Sequence, residues 1–251
     1  MNIEKWIIAH FSPTGGTKKV ADAIAAGFHT PVVEMDLTKA DVSVILGEND
    51  ALMAVLPVYA GRVPRISLER LSALKGNGQK AVAVVVYGNR EYEDALLETK
   101  DALKANGFRV IAAAAFIAEH SIVRAIAAGR PDESDEALCR QFAADVMAKA
   151  DDAAPVQVPG NNPYKELKPS AFHPTAKESC VKCGACAALC PVGAIPQDDP
   201  SRTNHDLCIN CMRCVETCPV NSRALPEAFL SMITQMLHQN AAGYKKPVVF
   251  L

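Results

Sequence analysis

Through the first 150 residues, short and nearly continuous apolar runs alternate with stretches whose apolar positions recur every three or four residues. The runs are Trp6–Phe11, Pro31–Met35, Ala51–Val58, Ala81–Tyr87 and Arg109–Phe116. An apolar run without strict alternation is what a parallel strand needs when helices cover both of its faces. The intervening stretches predict helices over Lys18–Phe28, with Val20, Ile24 and Phe28 on one stripe, over Ile66–Leu74 and over Tyr92–Ala105. A last helix is predicted over about Glu133–Ala150. Five βα units in this order predict a doubly wound α/β domain with a five-stranded parallel sheet, spanning residues 1–152.

The pattern then breaks. Between Ala153 and Pro174, Pro155, Pro159, Pro163, Pro169 and Pro174 interrupt any period, with Gly160, Asn161 and Asn162 among them. This predicts a semi-rigid linker lying along a surface, anchored by Tyr164, Leu167 and Phe172. Residues 175–224 follow as a small domain containing the chain's internal repeat. Residues 225–251 predict a helix with Pro226 near its first turn, carrying Phe229, Leu230, Ile233, Met236 and Leu237 on one face, and then a tail. That stripe reads as packing between domains or between subunits, which leaves a homodimer open.

Composition narrows the function. Of the 251 residues, 49% are hydrophobic and 22% charged, the balance of a packed globular chain. The net charge of −2 provides no basic footprint for nucleic acid. No apolar run is long enough to span a membrane, and the start lacks a signal-peptide core and cleavage site. The expectation is a cytoplasmic protein whose thiols stay reduced unless they hold metal. Cys139, within ALCRQFAADVMAKA, reads as a small buried hydrophobe.

The other cysteines lie in two copies of one run, CVKCGACAALCP at 180–191 and CINCMRCVETCP at 208–219. The spacing C-x2-C-x2-C-x3-C-P is that of bacterial ferredoxins, and the segment resembles their two-cluster, α+β domain. The resemblance implies two [4Fe–4S] clusters. Three closely spaced thiolates wrap one cube, and the fourth points away toward the other. One cluster is then held by Cys180, Cys183, Cys186 and Cys218, the other by Cys208, Cys211, Cys214 and Cys190. Zinc knuckles are the competing reading, but they are normally separated by a longer loop and fit this doubled spacing poorly.

A second motif lies in HFSPTGGTKKVADAI, 10–24, where a strand passes through a Ser/Thr/Gly loop into a helix. A helix N-terminus offers free N–H groups to a phosphate. Gly15 and Gly16 allow close approach, and Ser12, Thr14 and Thr17 supply hydroxyls. The spacing is neither a Walker motif nor G-x-G-x-x-G, so direct NAD(P)H oxidation is not supported. Ser12, Thr14, Gly15 and Thr17 match the [ST]-x-T-G-x-T phosphate loop of flavodoxins, which this part of the chain resembles. The resemblance implies a flavodoxin-like fold and bound FMN. Its ring would lie between the loops PVYAGRVP (57–64) and YGNREYEDALLE (87–98), with Tyr59 and Tyr92 as aromatic candidates and Tyr92 preferred. The backbones of Ala60, Gly61, Gly88 and Asn89 would meet the ring edge, with Tyr87 also among the cofactor-binding residues.

Two features depart from that family. Arg62 and Arg90 stand in the flanking loops where flavodoxins place carboxylates, and would raise the flavin potential; the alternative is arginines holding loops by salt bridges. His120, at the end of the fifth strand, is placed to give the ring a hydrogen bond or a proton. The whole chain thus resembles a flavodoxin–ferredoxin fusion that carries electrons between clusters and FMN, with redox proteins as donor or acceptor. The alternative is an FMN-dependent reductase of a small molecule.

Overall fold

A computed structural model gives the fold and describes residues 3–40, 44–149 and 154–251. Strands β1 (Lys5–His10), β2 (Val32–Asp36), β3 (Asp50–Pro57), β4 (Lys80–Tyr87) and β5 (Arg109–Ile117) are parallel in the order β2-β1-β3-β4-β5. Because successive strand side chains point to opposite faces, the continuous runs build two cores at once. Ile7, Leu52, Ala54, Ala83 and Val85 face α2 (Arg65–Leu71) and α3 (Ala95–Ala105). Trp6, Ile8, Met53, Val55 and Val84 face α1 (Gly16–Ala25) and α4 (Glu133–Ala148). Cys139 is fully buried in the second core, and burial pushes its thiol to about 12, as expected of an inert hydrophobe.

The elements depart from the pattern in two places, each with a local cause. The β2–β3 connection holds no helix among its described residues, so one of the five expected βα units is missing. Asp36 instead accepts hydrogen bonds from the Thr38 N–H and hydroxyl at 2.9 and 2.7 Å, and Asp50 accepts from Gly47 N–H at 2.7 Å. Such side-chain turns compete with a helix for the backbone. Helix α3 starts at Ala95 rather than Tyr92, because Glu93 lies at φ 42, outside helical geometry. Ala150, the expected end of α4, lies outside the described residues, as do 151–153 and with them the expected linker boundary.

From Ala154 the chain is an extended strap laid on α3 rather than a free linker. The buried Asp94 carboxylate accepts from Asn161 N–H at 2.8 Å, Asn161 Nδ2 at 3.0 Å and Lys165 N–H at 2.6 Å. Tyr164 donates to Asp101 at 2.7 Å, and the Arg62 guanidinium lies 4.8 Å above the Tyr164 ring. The cysteine lobe follows. A two-strand ribbon, β6 (Thr175–Ala176) with β7 (Arg223–Ala224), joins the short helices α5 (Ala185–Ala188) and α6 (Arg213–Glu216). Arg223 is buried at its centre and donates to Thr203 Oγ1 at 2.8 Å and to the carbonyls of Arg202 at 2.9 Å and Pro174 at 3.3 Å, and to that of Pro200.

The chain then returns to the large domain. Helix α7 (Glu227–Ala241) packs Leu237 and Ala241 on Val123 and Ile126, while Phe229 stacks on Phe172. Leu230 and Met236 of the expected stripe stay exposed. Strand β8 (Val248–Phe250) pairs antiparallel with β5, Val249 opposite Ala114, and makes the sheet six-stranded. No helix among the described residues is long and apolar enough to cross a membrane.

Asp94 generates a prediction. Burial opposes its ionisation, but the hydrogen bonds from Lys165 and Asn161 outweigh that and hold its pKa below the usual value. Stability from a depressed folded-state pKa is present above the unfolded value, near 4, and is lost as pH falls through the folded one. Asp94→Ala should therefore cost about 1–3 kcal/mol at neutral pH in urea unfolding. The gap to the unmodified chain should narrow below about pH 4.

Candidate functional site

The carboxyl ends of β1, β3, β4 and β5 open onto one cleft. Its walls are Pro13, Thr14, Gly16 and Thr17 from the β1–α1 loop, Pro57–Tyr59 after β3, Val86–Gly88 at the end of β4 and Ala118–Ser121 after β5. Gly15 caps α1 at φ 89, in the left-handed region that favours glycine. The helix has neither a side-chain cap nor an acidic residue in its first turn. Its free N–H groups therefore face the cleft without an internal anion, which fits a phosphate. Ser12 is buried, and its Oγ accepts from Lys18 N–H at 2.8 Å, so it braces the loop.

The cleft continues past Val58, Tyr59, Ala60, His120 and Ser121 into a cavity of about 430 Å³. The far side of that cavity is made by Leu167, Lys168 and Ser170 of the strap and by Cys208, Ile209 and Asn210 of the cysteine lobe. Ile209 packs against the core of the large domain, and Arg70 donates to the Leu37 carbonyl at 2.7 Å and the Pro191 carbonyl at 2.6 Å. Arg124 pairs with Glu216 across the same junction. Burial raises the Tyr59 phenol well above its usual range, with Cys211 nearby adding to the effect, and pushes Tyr87 to about 12. Burial and then Arg90 push His120 down to about 4. These three groups are neutral at physiological pH.

Several expected ring contacts lie elsewhere. Tyr92, the preferred aromatic, packs edge-on to Tyr87 at 5.5 Å and lines a separate cleft with Pro159, Gly160 and Asn161. Tyr59, the less favoured, lines the site. Arg62 grips Glu98 at 2.8 and 2.6 Å and donates to the Lys165 carbonyl at 2.5 Å. Arg90 pairs with Glu93 at 2.6 Å. Both arginines are thus neutralised by carboxylates, and neither lines the cleft. Asn89 is buried and donates to the carbonyls of Ala241 and Gly243 at 2.6 and 2.7 Å, anchoring the end of α7.

The two loops that were to sandwich the ring instead meet each other. Asp94 N–H donates to Gly61 O at 3.1 Å, and a Cβ on Gly61 would lie 2.2 Å from Glu93 Oε2. The opposite wall comes from Glu119–Ser121. Of these only His120 was singled out from sequence, although the position of all three after a strand's carboxyl end marks them.

In the lobe, one hollow is rimmed by Cys180, Cys183, Cys186 and Cys218, and a second by Cys190, Cys208, Cys211 and Cys214. These are the two exchanged sets. Ala194 N–H donates to Cys190 Sγ at 3.2 Å and Ser222 N–H to Cys218 Sγ at 3.1 Å, the same contact in each repeat. Burial pushes Cys211 to about 12 and Cys214 to about 11, so these thiols ionise only beside positive charge. No three His, Cys, Asp or Glu side chains among the described residues converge as a single ion requires. Four sulfurs spread around a hollow suit a group with several metal atoms, and the donor set is that of an iron–sulfur cluster.

Residues 8–144 match the family model for flavodoxin, and residues 179–222 match that for a 4Fe-4S dicluster domain. Similar solved structures include a flavodoxin from Streptococcus pneumonia TIGR4, 21% identical, covering 58% of this chain and 99% of that one, with a TM-score of 0.46. A flavodoxin from the domain Archaea is 18% identical, covering 57% and 95%, TM-score 0.44. Flavodoxin 1 from Bacillus cereus is 17% identical, covering 57% and 97%, TM-score 0.42. No curated protein matches.

Because Arg62 serves Glu98 and the strap, Arg62→Ala should act on stability. Leaving the Glu98 carboxylate unpaired should cost up to about 3–5 kcal/mol in denaturant unfolding. FMN affinity, measured by fluorescence titration, should stay near that of the unmodified chain.

Proposed function

Since the chain belongs to the flavodoxin family and carries a 4Fe-4S dicluster domain behind its flavodoxin domain, we propose that it moves electrons between two [4Fe–4S] clusters and FMN within one polypeptide. The domain spanning residues 1–152 holds the flavin, 154–174 form the strap, 175–224 hold the clusters, and 225–251 return to the sheet. When bound, FMN exchanges one or two electrons and each cluster one, so the set matches single-electron partners to a two-electron step.

The carrying observation is the shared wall: Cys208–Asn210 line the same cavity as Tyr59 and His120. It supports an order of sites in which the quartet of Cys208, Cys211, Cys214 and Cys190 neighbours the flavin. The other quartet includes Cys183, which is exposed and suits exchange with an external redox protein. Thr14, Gly16 and Thr17 line the phosphate end, and Tyr59 and Gly88 the approach to the ring. Arg70 and Ile209 fix the lobe on the large domain. Since both sites meet within one chain, a second copy is not needed to bring a cluster to the flavin.

Two cysteine substitutions test the order. Anaerobically purified native protein should hold one FMN and about eight irons, and Cys190→Ser and Cys218→Ser should each retain about half the iron. Cys190→Ser should also slow FMN reduction by a reduced bacterial ferredoxin in stopped-flow measurements. Full iron in both variants, or unchanged flavin reduction in Cys190→Ser, would overturn the assignment.

A further inference from the structure

The loop after β5 carries a side chain whose protonation pattern its own backbone fixes. His120 Nδ1 accepts from the N–H groups of Ile122 and Val123, at 3.2 Å each. A nitrogen accepting two such groups carries no proton, so the neutral ring keeps its hydrogen on Nε2. The imidazole lies directly on Gly88, where a Cβ would come within 2.5 Å of Cδ2, so glycine is what admits the ring here. His120 lines both the phosphate end of the cleft and the larger cavity. Among the described residues, Nε2–H donates to no protein acceptor.

The groups around it keep it uncharged. Burial, and then the charge of Arg90 on the loop after β4, disfavour a cation. Tyr59 and Tyr87 are neutral phenols. On its own loop, Glu119 is engaged by Arg124 at 3.1 Å and by Gly129 N–H at 3.1 Å. Lys168 and Cys208 stand across the larger cavity. The half-buried ring keeps Nε2–H open to the cleft, so a ligand acceptor can take the place of water there.

We propose that His120 is a fixed, neutral hydrogen-bond donor to bound FMN, presenting Nε2–H to an acceptor atom of the flavin ring. The inference rests on the flavin reading above and goes beyond it by naming a side-chain contact. It also narrows the expectation from sequence: His120 gives a hydrogen bond and keeps its proton. A donor at a ring heteroatom favours the electron-richer reduced flavin, so the residue raises the FMN potential.

The test uses full-length protein with ¹⁵N-labelled histidine, with and without FMN. Long-range ¹H–¹⁵N spectra at pH 7 should show His120 as the Nε2–H tautomer, and FMN should shift its Nε2 signal. His120→Leu should weaken FMN binding by about 3–10-fold and make the FMN midpoint more negative. His120→Gln, which keeps an N–H donor, should recover part of both. A cationic or Nδ1–H ring overturns the proposal. So does an Nε2 signal indifferent to FMN, or a His120→Leu variant with unchanged affinity and midpoint. Native protein that binds no FMN defeats the flavin reading itself, and the proposal with it, whereas FMN binding with an indifferent His120 defeats the proposal alone.

Discussion

One buried carboxylate decides where the two halves of this molecule meet. Asp94 sits where β4 turns into α3 and receives three hydrogen bonds from a strap that is distant in sequence. Left alone, a proline-rich segment would be a semi-rigid spacer with many orientations. Tied at Asn161 and Lys165, it delivers Leu167–Ser170 to the rim of the cleft and the cysteine lobe to the mouth of the sheet. Glu98, Asp101 and Glu93 add ionic and hydrogen-bonded ties through Arg62, Tyr164 and Lys165. The geometry that brings a cysteine loop to a flavin-sized cleft is thus a product of α3's acidic edge.

Charge is handled differently on the two sides of that junction. Around the cleft, the arginines that might have faced a flavin are matched with carboxylates, and Tyr59, Tyr87 and His120 are held neutral by burial. What remains for a ligand is a helix N-terminus and oriented N–H donors. In the lobe, burial pushes the Cys211 and Cys214 thiols toward the protonated form, a cost that a bound cationic group would offset. Desolvation thus disfavours charge on both sides of the junction.

The parts legible in sequence are those written by local pattern. Five strands fall within a residue of their apolar runs, since burial on both faces leaves a continuous signature. The cysteine quartets follow from spacing, because a tight loop around a cube allows few alternatives. What escaped depends on contacts between distant residues. Sequence left Arg62 and Arg90 open between cations facing a ring and braces of their loops; the structure pairs them with Glu98 and Glu93, and the side-chain hold of Asn89 on the end of α7 had no local signal. Tyr59 lines the cleft while Tyr92, the preferred candidate, packs on Tyr87, a difference that no local pattern around either residue signals. The three-residue β8 is too short to carry a period at all.

That short strand alters how the protein comes into being. The β5 edge is covered only by residues 248–250, which follow the strap, the cysteine lobe and α7 in the chain. Until they pair, the flavodoxin domain carries an open row of backbone donors and acceptors on that side, a template for unwanted pairing. Because the lobe lies between β5 and β8 in the chain, the seating of the cluster-bearing segment and the covering of that edge are linked through one stretch of backbone.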